Sequence, residues 1–458
     1  MIYKKIYNAG LLAYALLLLF ATAFFKERVA LFDTAFFSFE IARTGDFWIP
    51  HYRYISGLVQ VLPVLGTKLG LSLGQVELMF SLNFVVYQFL CYLACGYLLK
   101  DYRMGAALLV FQTLFAVHTI YWPISELIHA QVLLFPFLAY VCNERLRKRK
   151  LLTAVVLLTF IPTIAFAHAL ASFAFFFALA FLYLRKELPF KFALLAGVLY
   201  IATFGIKLGF FKTSYDEGAM ANLNNIKYLF PHYINLHSNK TFLYNCLVKY
   251  QWIPLSFIAI TVLYVTTRQW LKLALVTAII LVFMFIINVA YHSPGVQEFY
   301  IENFYLALGT FLGIPLVLDV LPRVEQWKRH MALATVMLIL VTATVRILVV
   351  GQRYERRLDW LRNYDLAHRN QKLMVDARHA PQDILYMHWS TPYEFWLLST
   401  IERDTTASIL ITDMLSQTKW AMREKTSFVP TWGSFPYKDL PPRYFKMRDT
   451  VNHYTIVP

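Results

Sequence analysis

The stretch "AGLLAYALLLLFATAFF", Ala9 to Phe25, carries no charge and approaches the roughly 20 apolar residues that a helix needs to cross a bilayer. No small-residue cleavage site follows its apolar core, so it reads as an uncleaved membrane anchor rather than a removable leader. The rest of the chain agrees. Of its 458 residues 59% are hydrophobic, 17% aromatic and only 15% charged, where soluble domains hold roughly 25% charged residues. An integral membrane protein is therefore expected. No segment repeats at a fixed period, which sets solenoids and propellers aside.

Working outward from the anchor, apolar runs recur near 74–99, 104–121, 128–142, 151–167, 169–184, 192–210, 251–267, 273–291, 301–321 and 331–350. With the anchor these make about eleven expected spans. The run 58–73 is shorter and broken by Pro63 and Gly66, so it belongs to an outer loop or a re-entrant piece.

Lys and Arg mark the cytoplasmic connections of a multi-pass protein. If successive connections alternate sides, one set holds Lys4 and Lys5, Lys100 and Arg103, the "RLRKRK" run at 145–150, Arg185, Lys186 and Lys191, Arg268 and Lys272, and Arg323, Lys328 and Arg329. That set is expected in the cytoplasm, with the N-terminus. Segments 26–73 and 211–250, and everything after Val350, then face the exterior or periplasm. The net charge of +16 is largely this topological signal, so it gives no reason to expect nucleic acid. Cys91 and Cys95, one turn apart in an apolar helix, read as packing rather than metal ligands.

The expected architecture is mainly α: a transmembrane bundle over 1–350 and a small exterior α/β domain over 351–458. In that domain "GQRYERRLDWLRNYDLAHRNQKLMVDARHA" has the period of an amphipathic helix. Two β-like runs, "DILYMHW" and "ASILITD", flank a helical "TPYEFWLLSTIERD", and a Pro-rich tail follows.

The chemistry is expected at the outer surface. "LFDTAFFSFEIARTGDFWIPHYRYIS", Leu31 to Ser56, places Asp33, Glu40, His51 and Arg53 beside the first span. Other elements bring Glu126 and His129, His168, Lys207 and Lys212, then Glu298, Tyr300 and Glu302 to the same side. Ionisable groups near membrane depth are costly, and those that persist usually mark a functional cavity. A surface loop being polar is the plainer account for the loop residues, and a core histidine bonded to a carbonyl is the plainer account for His129 or His168. No Walker-type glycine loop, His-Glu-x-x-His helix or Gly-x-Ser-x-Gly elbow occurs.

"FDTAFFSFEIARTGDF", followed by "PHYRYISGLVQVLPVLGTKLG", resembles the first exterior loop of the GT-C superfamily of integral membrane glycosyltransferases, which use polyprenyl-phosphate-linked sugars. The resemblance sets Asp33 at the acidic position, Ala42 and Gly45 at small positions, and His51 at the start of the later segment. Thr34 stands where a second acid is common, and Tyr52 where proline follows the histidine. The resemblance implies transfer of a sugar to an envelope acceptor on the exterior face, with inversion and with Asp33 as base. A helix cap is the competing role for Asp33. The departing phosphate needs cations, and Arg53, His51, His168, Lys207 and Lys212 are candidates. Lys207 could instead snorkel to the interface.

Glu298 and Glu302, one turn apart, could bind acceptor, sugar hydroxyls or a divalent ion, or simply favour a helix N-terminus. Trp48, Tyr52, Tyr54, Trp122 and Tyr300 could stack on sugars or form an interfacial belt. No cofactor is evident in the sequence beyond that ion. Membrane lipids and envelope proteins are the expected partners besides the lipid-linked sugar. A transporter, or a non-catalytic scaffold subunit built on the same plan, are the alternative readings.

Overall fold

The computed structural model describes residues 2–114, 118–292, 298–328, 330–368 and 371–457, with no side-chain description for residues 219, 298–300 and 327. Arg329 of the basic set lies outside the described residues. Each of the eleven expected apolar runs is helical where described. In lipid every backbone N–H and C=O must be satisfied within the protein, and helices do this segment by segment.

Seven helices are long and apolar enough to cross a membrane: Ile2–Ala23, Leu73–Leu98, Lys150–Ala167, Phe190–Phe210, Trp270–Ala290, Ile301–Gln326 and Met331–Ala367. An eighth would be the bent pair His237–Val248 and Trp252–Thr266, which turn by 84° at their junction. Tyr102–Leu114, Glu126–Cys142 and Ala171–Leu184 are shorter. They are largely buried among the other helices and fall short of the length a crossing needs, so seven or eight candidate spans stand where eleven were expected.

The centre is Ile301–Gln326, whose apolar window is 94% buried against 22% for Phe190–Phe210. Its "GTFLG", Gly309 to Gly313, lets the Tyr102–Leu114 helix approach closely, because a Cβ on Gly309 would stand 2.7 Å from the Phe111 carbonyl oxygen. Small residues four apart at a helix crossing are a standard way to pack helices without a hydrophobic drive from lipid.

The bundle has two chemically distinct ends. At one, Tyr3 donates to the Val317 carbonyl over 3.0 Å, Arg103 pairs with Glu187 at 3.1 Å, Lys272 pairs with Asp319 at 3.0 Å, and Arg185 also pairs with Asp319. These contacts gather the N-terminus and the connections near 101–103, 185–187, 272 and 317–319. At the other end lie the helix Phe32–Thr44, the short helix Val61–Lys68, the Ser214–Ala221 helix and the C-terminal domain.

The C-terminal domain holds a three-stranded parallel sheet in the order β2-β1-β5, with β1 Lys372–Asp376, β2 Ser408–Thr412 and β5 Tyr454–Val457. Strands β3 (Ser427–Phe428) and β4 (Phe435–Pro436) form a separate antiparallel hairpin. The expected strand in "ASILITD" and helix in "TPYEFWLLSTIERD" are present as β2 and Thr391–Arg403. "DILYMHW" is instead a helical turn, Gln382–Leu385, and a 3-10 turn, His388–Ser390. The strand that pairs with β2 lies earlier, in "KLMVD", which was expected to continue the amphipathic helix. Its uniformly buried five residues hide the alternation that betrays a half-exposed strand, since both faces are covered. The division expected at Val350 falls inside the unbroken Met331–Ala367 helix.

Candidate functional site

The helix Phe32–Thr44 forms after Leu31, whose extended backbone ends the preceding segment, and stops at Gly45, which takes the left-handed conformation (φ 70°) that glycine adopts freely. Asp33, Phe36, Phe37 and Glu40 recur at i, i+3, i+4 and i+7, so they share one face. That face lines a cavity of about 730 Å³, closed by Trp48, Pro50, His51, Arg53, Trp122, Ser125, Glu126, His168, Tyr215, Asn303, Phe304 and Trp432 among others.

Asp33 is the second residue of its helix and makes no cap bond, so the capping role is set aside. Its carboxyl is pushed up to about 7, first by burial and then by the facing Glu126 carboxylate. Arg53 and a hydrogen bond from the Trp122 indole pull the other way. The residue is only half-buried by surface because it faces an internal cavity rather than bulk water. Glu40 accepts from Arg43 Nε at 3.1 Å.

Arg53 organises another part of the lining. It pairs with Glu126 at 3.4 Å and Asp216 at 3.5 Å, and its guanidinium lies 4.8 Å from the Tyr215 ring centre. Burial would raise the Asp216 carboxyl, but the Thr213 hydroxyl, Lys207 and Arg53 outweigh it and hold the group below its usual range. His51 stacks on the same Tyr215 ring at 4.6 Å, and burial and Arg53 lower its tendency to protonate. His168 follows the end of the Lys150–Ala167 helix, and its Nδ1 accepts the Leu170 backbone N–H at 3.1 Å. Burial, Arg53 and Lys207 hold it neutral. With Nδ1 accepting, the ring proton sits on Nε2, which makes His168 a neutral donor.

Strain borders the cavity. Phe32, His51 and Tyr52 have φ of 39°, 55° and 57°. For bulky residues such angles cost on the order of 1–3 kcal/mol each and persist where surrounding contacts fix them, as functional sites do. At Phe32 the contact is visible: its backbone N–H donates to Glu394 Oε1 of the C-terminal domain at 3.0 Å.

Of the candidate residues, Asp33, Glu40, His51, Arg53, Glu126 and His168 share this cavity. Four described candidates do not line it. His129 is fully buried between Phe84 and Tyr87, a core position in an apolar helix. Lys207 neither snorkels nor lines the cavity: its buried ammonium donates to the Phe166 carbonyl at 2.9 Å and acts on Asp216 and His168 through its field. Lys212 pairs with Glu217 at 3.2 Å on the surface. Glu302 is fully buried and accepts from the His118 backbone N–H at 2.6 Å and the Tyr250 hydroxyl at 2.8 Å, so it ties elements together behind the cavity. The side chains of Glu298 and Tyr300 lie outside the described residues.

Thr34, at the expected second-acid position, is fully buried and points away from the lining. Glu40 and Glu126 supply the cavity's other acids. Among the described residues no group of three His, Cys, Asp or Glu is placed to hold a metal ion.

Fold and site together define a helical membrane protein with a polar, aromatic-walled cavity at one end of its bundle, roofed by a small α/β domain. No protein-family model, no curated protein and no solved structure matches the chain.

Proposed function

We propose that this protein is a glycosyltransferase that moves a sugar from a polyprenyl-phosphate donor to an envelope acceptor at the exterior face of the plasma membrane. The observation that carries the reading is the placement of Asp33, its carboxyl raised to about 7, in one cavity with Glu126, Arg53 and the neutral His168. A general base works best with a pKa near the working pH. The exterior placement is supported by the run of Lys and Arg in the connections at the other end of the bundle, which the positive-inside rule assigns to the cytoplasm.

In this reading the acceptor hydroxyl oxygen forms a bond to the anomeric carbon while the bond from that carbon to the phosphate oxygen breaks. The hydroxyl proton goes to Asp33, and the polyprenyl phosphate leaves with the bonding electron pair. Arg53 and the Nε2–H of His168 offset the charge that grows on the phosphate. Glu126 and Asp216 keep the Arg53 fork oriented. Inversion is what the resemblance of the Phe32–Phe47 stretch to the GT-C loop implies.

The test is mass spectrometry of lipid-linked sugars and envelope glycans in cells lacking the protein and in cells restored with wild type or Asp33→Asn. Restoration of a missing glycan by wild type alone, with a polyprenyl-phosphate sugar accumulating in the variant at equal protein level, is the expected result. Full restoration by Asp33→Asn overturns it.

A further inference from the structure

The cavity lining holds two clusters. Arg53 and His51 meet on the Tyr215 ring, whereas Trp48 and Trp432 both meet Phe36, which shares its helix face with Asp33 and Glu40. Trp432 is the contribution of the C-terminal domain. It sits in the 429–434 loop that joins β3 to β4, followed by Gly433 at φ 98°, an angle open to glycine and strained for other residues. The loop is held in place: Thr431 Oγ1 donates to the Trp389 carbonyl at 2.6 Å, and the Trp432 ring stacks on Trp389 at 4.6 Å and meets Phe36 edge-on at 5.1 Å. Despite these contacts Trp432 stays 50% exposed. A fixed, half-open indole beside a carboxylate in a walled cavity is a binding surface for a ligand with one apolar face and a polar rim.

We infer that Trp432 and Phe36, with Glu40 beside them, form a platform for a saccharide ring, and that the acceptor of this protein is therefore a glycan. A pyranose presents axial C–H groups on its faces and hydroxyls at its rim, so the indole takes the face and Glu40 accepts from a hydroxyl. Asp33 and Phe36 lie one helical turn apart, so a ring on the platform brings its hydroxyls to the base. The assignment rests on the glycosyl-transfer reading for the word acceptor, but the saccharide site itself rests on the aromatic geometry alone.

The experiment uses the full chain in lipid nanodiscs. Saturation-transfer NMR measures binding of N,N'-diacetylchitobiose, maltose and lactose, and native mass spectrometry measures undecaprenyl phosphate. Wild type should bind at least one disaccharide. Trp432→Ala should weaken that binding by about tenfold, Trp432→Phe should keep most of it, and both variants should bind undecaprenyl phosphate as wild type does. Equal disaccharide binding by Trp432→Ala and wild type, or no binding of any of the three by wild type, overturns the platform. If the Trp432 effect appears while Arg53→Ala leaves undecaprenyl phosphate binding unchanged, the saccharide site stands and the lipid-phosphate donor reading falls.

Discussion

At the scale of single residues, Asp33 combines poor solvation with a task. Its carboxyl ordinarily titrates at 3.8 and is raised to about 7 here. Transfer activity should therefore rise with pH through about 7, as the base loses its proton, and Asp33→Asn should lower the rate by about 10²–10⁴-fold and flatten that profile. Stability runs the opposite way. Between about pH 4 and 7 the folded protein keeps a proton that the unfolded chain has released, so folding stability from this group falls as pH rises. Asp33→Asn should thus be thermally more stable than wild type, by a margin that grows from pH 5 to pH 8; a margin constant with pH would contradict the burial that shifts this group. Arg53 behaves differently, because its side chain is 8% exposed and shared by two carboxylates. Arg53→Ala strands Glu126 and Asp216, and chemical unfolding in mild detergent should show a loss of about 3 kcal/mol.

At the scale of elements, the Phe32–Thr44 helix is fixed from outside itself. Glu394, on the Thr391–Arg403 helix, accepts from the Phe32 backbone N–H and from Ser390 Oγ at 2.7 Å, and pairs with Arg357 of the Met331–Ala367 helix through Nε at 3.1 Å. Both partners of that ion pair are fully buried. The Arg357 guanidinium also stands 4.7 Å from the Phe32 ring centre. One carboxylate thus connects the long helix, the C-terminal domain and the residue before Asp33. Glu394→Ala leaves a buried guanidinium unpaired, and should cost about 3–5 kcal/mol and expose the C-terminal domain to limited proteolysis. Glu394→Gln keeps an acceptor for Phe32 while losing the charge, so its proteolysis rate should fall between the two.

At the scale of the whole molecule, the two ends of the bundle make the orientation testable. The 37-residue helix Met331–Ala367 is about 55 Å long at 1.5 Å per residue, longer than a bilayer core of roughly 30 Å, and its last turns hold the C-terminal domain through the Arg357–Glu394 pair. In a background with Cys91, Cys95, Cys142 and Cys246 replaced by Ala, a cysteine at Lys438 should react with a membrane-impermeant maleimide in intact cells. A cysteine at Lys148, which is 75% exposed at the basic end, should react only after lysis. Labelling of Lys148→Cys in intact cells would reverse the orientation and place the cavity in the cytoplasm.

The positions of the apolar helices were legible in the sequence because burying apolar side chains and satisfying the backbone are local demands, met run by run, whereas the number long enough to cross a membrane, seven or eight rather than eleven, was not. Also legible was the cavity-lining face of the Phe32–Thr44 helix, since Asp33, Phe36, Phe37 and Glu40 follow helical spacing. Which polar residues meet one another was not legible, because that depends on helix packing between segments far apart in the chain. His129, Lys207 and Glu302 look like His168 and Glu126 in sequence, yet each is turned into the packed interior, where local carbonyls and hydroxyls or surrounding rings take up its side chain. Trp432 gave no signal at all, being one tryptophan in a Pro-rich tail. The hairpin that carries it across to Phe36, the Tyr393 ring that also meets Phe36, and the Glu394 bond to the Phe32 backbone bring the C-terminal domain into the site.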